Sequence, residues 1–114
     1  MALTFRNPPG AKSAALKALV KTLKRARVPI DGVGLQSHFV VGGVPPTLQQ
    51  NLEEFAALGL EVAITELDVR FQALPPTAEG VAQQRADYEA VVRACAAVRK
   101  CVGVTLWDFT DKVR

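Results

Sequence analysis

Two hydrophobic periods alternate along this sequence, and that alternation constrains the fold more than any other feature. Apolar residues recur at helical spacing over residues 11–26, 47–59 and 78–98, and short apolar runs cover residues 30–39, 61–69 and 101–107. Successive helix and strand segments of this kind imply parallel strands joined by right-handed crossovers. The predicted fold class is therefore α/β, in the order helix–strand–helix–strand–helix–strand.

Proline, glycine and threonine mark several predicted boundaries. Residues 1–10 are predicted to be irregular, because residues 8–10 read Pro-Pro-Gly. Thr47 and Gln50 fit a capping box at the start of the second helix. Gly59 stands where a left-handed residue commonly ends a helix.

Length and charge exclude several classes of protein. The chain has 114 residues, enough for one small domain and too few for two, and its net charge is +3. The first helix is basic, but a solvated face explains its cations better than nucleic-acid binding does, and no specific retention on DNA is expected. No apolar run approaches the length needed to span a bilayer, and the N-terminus lacks the layout of a signal peptide. As written, the chain is expected to remain in the cytosol unless its natural N-terminus lies upstream.

Functional side chains follow each predicted strand at its carboxyl end. Gln36 and His38 share one face of the first strand, and Glu66 and Asp68 share one face of the second. Trp107 ends the third. One such strand end is an ordinary solvated terminus, but parallel α/β proteins bind ligands at this rim, so three together favour a functional site.

These side chains suit the hydrolysis of a glycosidic bond. Retaining glycosidases use one carboxylate as nucleophile and another as general acid/base, roughly 5–5.5 Å apart. Glu66 is the natural nucleophile because it ends the most buried strand, and His38 would orient it while Asp68 holds the other ring nitrogen. Trp107 offers a flat face to a pyranose ring, and Gln36 can bond a sugar hydroxyl or the nucleophile. The alternatives are a structural histidine and a core tryptophan.

Three segments carry a family resemblance. They are residues 30–38 (IDGVGLQSH), 60–68 (LEVAITELD) and 103–108 (GVTLWD). In this order and spacing they resemble three successive segments of glycoside hydrolase family 10, the endo-β-1,4-xylanases, especially the fungal members. The resemblance covers nearly the whole chain and rests on three independent motifs.

This resemblance implies a fold and a set of roles. Residues 1–114 would be the C-terminal part of the catalytic domain, a partial (β/α)8 TIM barrel with its last three strands. Glu66 would be the catalytic nucleophile, His38 and Asp68 its supporting hydrogen-bond partners, and Gln36 and Trp107 substrate contacts. The expected reaction is retaining hydrolysis of xylan, with xylan or xylo-oligosaccharides as partners and no metal or cofactor. Another retaining β-glycanase is the alternative.

One element of the family pattern is missing. The family's acid/base glutamate lies in an Asn-Glu pair, and this sequence contains none. The expectation is therefore a truncated chain that carries the nucleophile without its acid/base partner. Three parallel strands would leave two open edges, so the isolated chain is expected to be marginally stable and to hydrolyse xylan poorly. An inactive product with weak sugar binding is the corresponding alternative.

Two cysteines, Cys95 and Cys101, flank the predicted turn between the third helix and the third strand. Their spacing fits neither a zinc site nor a redox Cys-x-x-Cys, which leaves a local disulfide or two buried thiols. The resemblance to fungal family members favours the disulfide. It also implies an extracellular protein.

Overall fold

The computed structural model describes residues 2–5 and 10–108, and within them five parallel strands and three helices. In chain order these are β1 (Ala2–Phe5), α1 (Ala11–Arg25), β2 (Gly32–Leu35), β3 (His38–Val40), α2 (Leu48–Ala56), β4 (Glu61–Arg70), α3 (Ala78–Ala97) and β5 (Cys101–Leu106). β4 pairs with β2 and then β3, and it also pairs with β5, while β1 pairs with β2. The predicted α/β class and the alternation of helices with strands are confirmed. The single strand predicted over residues 30–39 is wrong in one respect, because it forms two strands, β2 and β3, separated by Gln36 and Ser37.

The N-terminal segment differs from its prediction. Residues 1–10 were expected to be irregular, yet β1 pairs with β2 from Ala2 opposite Gly32 to Phe5 opposite Leu35. Because β2 and β3 follow one another along β4, the five strands occupy four positions in the sheet instead of three. A four-residue strand is too short to show a period, and its pairing with β2 defines it. Of the predicted turn at residues 8–10, residues 8 and 9 lie outside the described residues.

One apolar core joins the helices to the sheet. Phe55 of α2, Val91 of α3, and Leu35, Ile64 and Leu67 of the sheet are all fully buried. By contrast, the end strand β5 leaves most of its side chains exposed. The described residues therefore form a sheet that is well packed around β4 and open along β5.

Helical spacing predicts that Leu16, Leu19, Val20 and Leu23 form one apolar stripe along α1, and the structure buries this stripe only in part. Val20 is buried and Leu16 and Leu23 pack against the core, but Leu19 is exposed. None of the helices within the described residues is long and apolar enough to cross a membrane.

The helix termini confirm one predicted boundary and correct another. Gly59 has φ +79°, as expected for a left-handed residue after a helix. The predicted capping box does not form. Thr47 has φ −90° and ψ 8°, and its side chain accepts no hydrogen bond from a backbone amide of the helix. Gln50 instead donates to Glu54 at 3.1 Å. A cap residue needs extended backbone for its hydroxyl to reach the helix amides, and Thr47 does not have it.

Helices α1 and α2 are joined by an ion pair. The Lys17 ammonium donates a hydrogen bond to the Glu54 carboxylate and also lies 5.1 Å from the ring centroid of Phe55. This hydrogen bond, together with the charge of Lys17, lowers the pKa of Glu54 from its ordinary value. Because Glu54 is exposed, the pair contributes little to stability. Any contribution is present above the unfolded pKa of Glu54 and is lost as the pH falls through the folded pKa.

A disulfide joins Cys95, near the end of α3, to Cys101, at the start of β5. The disulfide predicted from the family resemblance is therefore present. It closes the turn that connects the last helix to the exposed end strand.

We expect removal of this disulfide to destabilise the chain moderately. Replacing both Cys95 and Cys101 with alanine should lower the free energy of unfolding by about 2 kcal/mol, since the closed loop is short. Urea unfolding of the 114-residue chain and the double variant, followed by circular dichroism, measures the difference. A reducing agent should lower the free energy of unfolding of the parent chain by a similar amount and should not change that of the double variant. Equal midpoints for the parent and the variant would contradict this expectation.

Candidate active site

The candidate site lies at the carboxyl end of β4, where the strand changes its alternation. Val62 and Ile64 are buried two residues apart, and so are Leu67 and Val69, but three residues separate Ile64 from Leu67. The pairing of β4 with β5 shifts register between Ile64 and Leu67. This irregularity places Glu66 and Asp68 away from the apolar core, on a face where both remain partly exposed.

The Glu66 carboxylate receives a hydrogen bond at each oxygen. Gln36 Nε2 lies 3.4 Å from Oε1, and His38 Nε2 lies 3.1 Å from Oε2. The Glu66 side chain retains 23% of its exposure. A carboxylate held from two sides has a fixed orientation while its remaining surface stays open to a ligand.

His38 bridges two carboxylates. Its Nδ1 lies 3.0 Å from Asp68 Oδ1, while its Nε2 faces Glu66. Ionised carboxylates only accept hydrogen bonds, so both bonds require hydrogen on both ring nitrogens or a proton on one carboxyl group. A neutral imidazole has hydrogen on one ring nitrogen only, so it can donate to one of the two carboxylates at a time.

Ser37 shapes this arrangement through its backbone. It is fully buried and has φ +67°, a left-handed conformation that is uncommon for a residue with a side chain. It separates β2 from β3, and its carbonyl accepts from Asp68 N at 3.4 Å while the Gln36 carbonyl accepts from Glu66 N at 3.0 Å. Gln36 and His38 thus both reach Glu66 from the two sides of an interrupted strand.

Trp107, the residue that follows β5, borders the site. Its indole meets the His38 ring edge-on, with centroids 5.8 Å apart and planes at 86°. Its backbone N–H donates to Leu67 O at 3.0 Å, which fixes the chain beside β4. The side chain is half exposed, so it is not the core tryptophan of the alternative interpretation.

The structure thus brings together the five predicted site residues, Gln36, His38, Glu66, Asp68 and Trp107. Within the described residues, no group of His, Cys, Asp or Glu is arranged to hold a metal ion.

Sequence reasoning missed the polar face of α3. Helical spacing over residues 78–98 predicts that Tyr88 and Val92 join one apolar stripe. Tyr88 does pack against the core, whereas Val92 is half exposed. The Tyr88 hydroxyl also accepts a hydrogen bond from the backbone of β4, which the spacing did not predict. Buried Asp87 beside it was not singled out. A polar residue between helical apolar positions gives no periodic signal, so only the tertiary contact identifies it.

Comparisons with known proteins agree on one family. A sequence profile described as Glycosyl hydrolase family 10 matches residues 4–113. Over 103 residues the chain is 61% identical to endo-1,4-beta-xylanase A of Phanerodontia chrysosporium, covering 90% of this chain and 25% of that protein. It is 55% identical to the endo-1,4-beta-xylanase of Agaricus bisporus, again covering 90% of this chain and 31% of that protein.

A solved structure gives the same result. The fold superposes on the crystal structure of a GH10 xylanase from Bispora sp. MEY-1 with xylobiose, with a TM-score of 0.94 and 47% identity. That match covers 99% of this chain and 35% of the solved chain. The chain thus spans between about a quarter and a third of the length of these relatives.

Proposed function

Since the chain belongs to glycosyl hydrolase family 10, we propose that it carries the nucleophile side of an endo-1,4-β-xylanase active site. The observation that carries this proposal is the Glu66 carboxylate, held by Gln36 and His38 in the carboxyl half of β4, where it remains partly exposed. Residues 1–114 are then the C-terminal part of the catalytic domain, and their parallel strands the second half of its barrel. The relatives named above, all described as xylanases, support the substrate class.

Glu66 is the nucleophile of a double displacement in this proposal. Its carboxylate attacks the anomeric carbon, the bond to the leaving sugar breaks, and an acid protonates the leaving oxygen. Water then attacks the same carbon, gives its proton to the conjugate base of that acid, and releases Glu66 as a carboxylate. No residue of this sequence is assigned as the acid, and the sequence has no Asn-Glu pair.

His38 and Asp68 keep the nucleophile in position. Asp68 is engaged by His38 and is less exposed than Glu66, with 15% of its side chain accessible against 23%. Asp68 is therefore better suited to orient the imidazole than to contact a sugar. A preorganised donor beside Glu66 avoids rearrangement during the reaction.

Gln36 and Trp107 are the proposed sugar contacts. The half-exposed indole presents an apolar surface next to the imidazole, which suits the ring of a xylose unit. The Gln36 amide, at 3.4 Å from Glu66, can also reach a hydroxyl on the bound sugar. The partner is xylan or a xylo-oligosaccharide.

We further propose that the protein acts outside the cell. The Cys95–Cys101 disulfide supports this location, because disulfides persist in oxidising compartments and are rare in the cytosol.

A graft tests the proposed function. We define the grafted enzyme as the Bispora sp. MEY-1 xylanase in which this chain replaces the matching 35%. We expect it to hydrolyse xylan with retention of anomeric configuration, measured by reducing-sugar release and by proton NMR of the first product. We expect the 114-residue chain alone to release little sugar, because the acid/base carboxylate is not assigned within it.

The controls separate the alternatives. A grafted enzyme that unfolds cooperatively but prefers β-glucan to xylan would assign another β-glycanase, and one that folds without any hydrolysis would contradict the proposal. Fluorescence of Trp107, the single tryptophan of the 114-residue chain, shows whether that chain alone binds xylo-oligosaccharides.

A further inference from the structure

The carboxyl end of β4 extends beyond its pairing with β5, the strand on the side opposite β3. The last pair between β4 and β5 is Leu67 with Leu106, and Trp107 N then donates to Leu67 O at 3.0 Å. β4 continues to Arg70 and pairs there with β3. Within residues 2–5 and 10–108, no strand lies beside the peptide groups of Val69 that face away from β3.

Two side chains of α3 bond these peptide groups in place of a strand. Gln84 Nε2 donates to Val69 O at 2.8 Å, and Val69 N donates to Tyr88 Oη at 3.3 Å. Val69 itself is buried, so its peptide groups need such partners. The segment that carries Asp68 is thus bonded to β3 on one side and to α3 on the other.

A third side chain of the same helix face holds the segment that follows His38. Asp87 is 5% exposed, and its Oδ2 accepts from Gly42 N at 2.7 Å while its Oδ1 accepts from Gln83 Nε2 at 2.9 Å. Gly42 lies two residues after β3 and has φ +78°. An ionised acceptor makes a stronger bond to an amide than a neutral one does.

Gln84, Asp87 and Tyr88 share one helix face because they are three and four residues apart. We infer that these three residues form a polar clamp, which holds the segments after His38 and around Asp68 in register and so positions the His38–Glu66 hydrogen bond. They are positioning residues, since they act on the reaction through His38 and Asp68. Their catalytic effect rests on the proposed function, whereas their effect on His38 does not.

The first test reads His38 directly. It is the only histidine of the 114-residue chain, so a ¹⁵N-histidine label reports its two ring nitrogens alone. We expect Asp87→Ala to shift or broaden these NMR signals, and Asp87→Asn, which can still accept from Gly42, to restore most of the parent spectrum. Unchanged His38 signals in folded Asp87→Ala would overturn the inference.

The second test uses the grafted enzyme. We expect Asp87→Ala to lower kcat by about 10–100-fold, the range found for residues that orient metal ligands through hydrogen bonds, with little change in KM. Val91→Ala is the matched control, because Val91 is fully buried on the same helix and contacts the core instead of the clamp. It should lower the melting temperature and leave kcat of the folded enzyme unchanged.

The outcomes are distinct. If Asp87→Ala does not fold, Tyr88→Phe removes one acceptor with minimal change in shape, and the same readouts apply to it. If Asp87→Ala or Tyr88→Phe had the same kcat as Val91→Ala, the clamp would only stabilise the fold, and the inference would be overturned. A parent grafted enzyme without activity, combined with altered His38 signals in Asp87→Ala, would remove the proposed function and leave the clamp in place.

Discussion

Glu66→Gln in the grafted enzyme should lower kcat on xylan by at least about 10⁴-fold, the order of loss seen when a covalent nucleophile is removed. The amide keeps the size of the carboxylate but cannot attack the anomeric carbon. Fold and substrate binding should survive, since Gln36 and His38 remain in place. Initial rates on xylan, together with circular dichroism of both proteins, measure the effect.

Two controls distinguish a nucleophile from a supporting carboxylate. Glu61→Gln changes an exposed acid at the opposite end of β4 and should leave activity unchanged. Glu66→Ala with added azide should form a glycosyl azide of inverted configuration, because azide then attacks the anomeric carbon in place of the carboxylate. If Glu66→Gln kept more than a few per cent of the parent activity, Glu66 would not be the nucleophile.

His38→Ala should produce the second-largest loss. It removes the group that bonds both Glu66 and Asp68, at 3.1 and 3.0 Å. Loss of one preorganised donor in an active site typically costs about 10²–10³-fold in kcat. We therefore expect a fall of that order in the grafted enzyme, measured on xylan at saturating concentration.

A double-mutant cycle checks that His38 and Asp68 act as a unit. Asp68→Asn should lower kcat less than His38→Ala, and the double variant should resemble His38→Ala alone. Residues of one hydrogen-bond network give non-additive effects, whereas independent residues multiply theirs. A double variant whose loss equals the product of the two single losses would show that Asp68 does not act through His38.

The central part of the fold was predictable because the relevant signals are local. The apolar run before Glu66 predicted β4, and its parallel neighbours brought the carboxyl ends of three strands together at one rim. Residues two apart share a face of a strand, so Glu66 and Asp68 were expected to converge. Gln36 and His38 also converge on Glu66, but left-handed Ser37 brings them there between two strands, not along one strand as expected. The hydrogen bonds among these four residues follow from this convergence.

The remainder depends on contacts between distant parts of the chain. The clamp contacts join residues 15 to 45 positions apart, and no periodic pattern encodes them. The register shift in β4 arises from its pairing with β5, and β1 exists because β2 offers it a partner. Thr47 shows the converse. The sequence there favours a capping box, but the box did not form because the backbone of Thr47 is not extended.

The left-handed Ser37 has a consequence for how this protein would respond to selection in the laboratory. A buried non-glycine residue in this conformation costs the folded state of the order of 1–3 kcal/mol, which glycine would largely avoid. The serine also donates its hydroxyl to Leu35 O at 3.4 Å, within the segment that aims Gln36 and His38 at the carboxylate. Screening for heat resistance alone would therefore favour replacements here, while screening for catalysis would retain the residue. At this one position, a substitution that raises the melting temperature is expected to lower kcat.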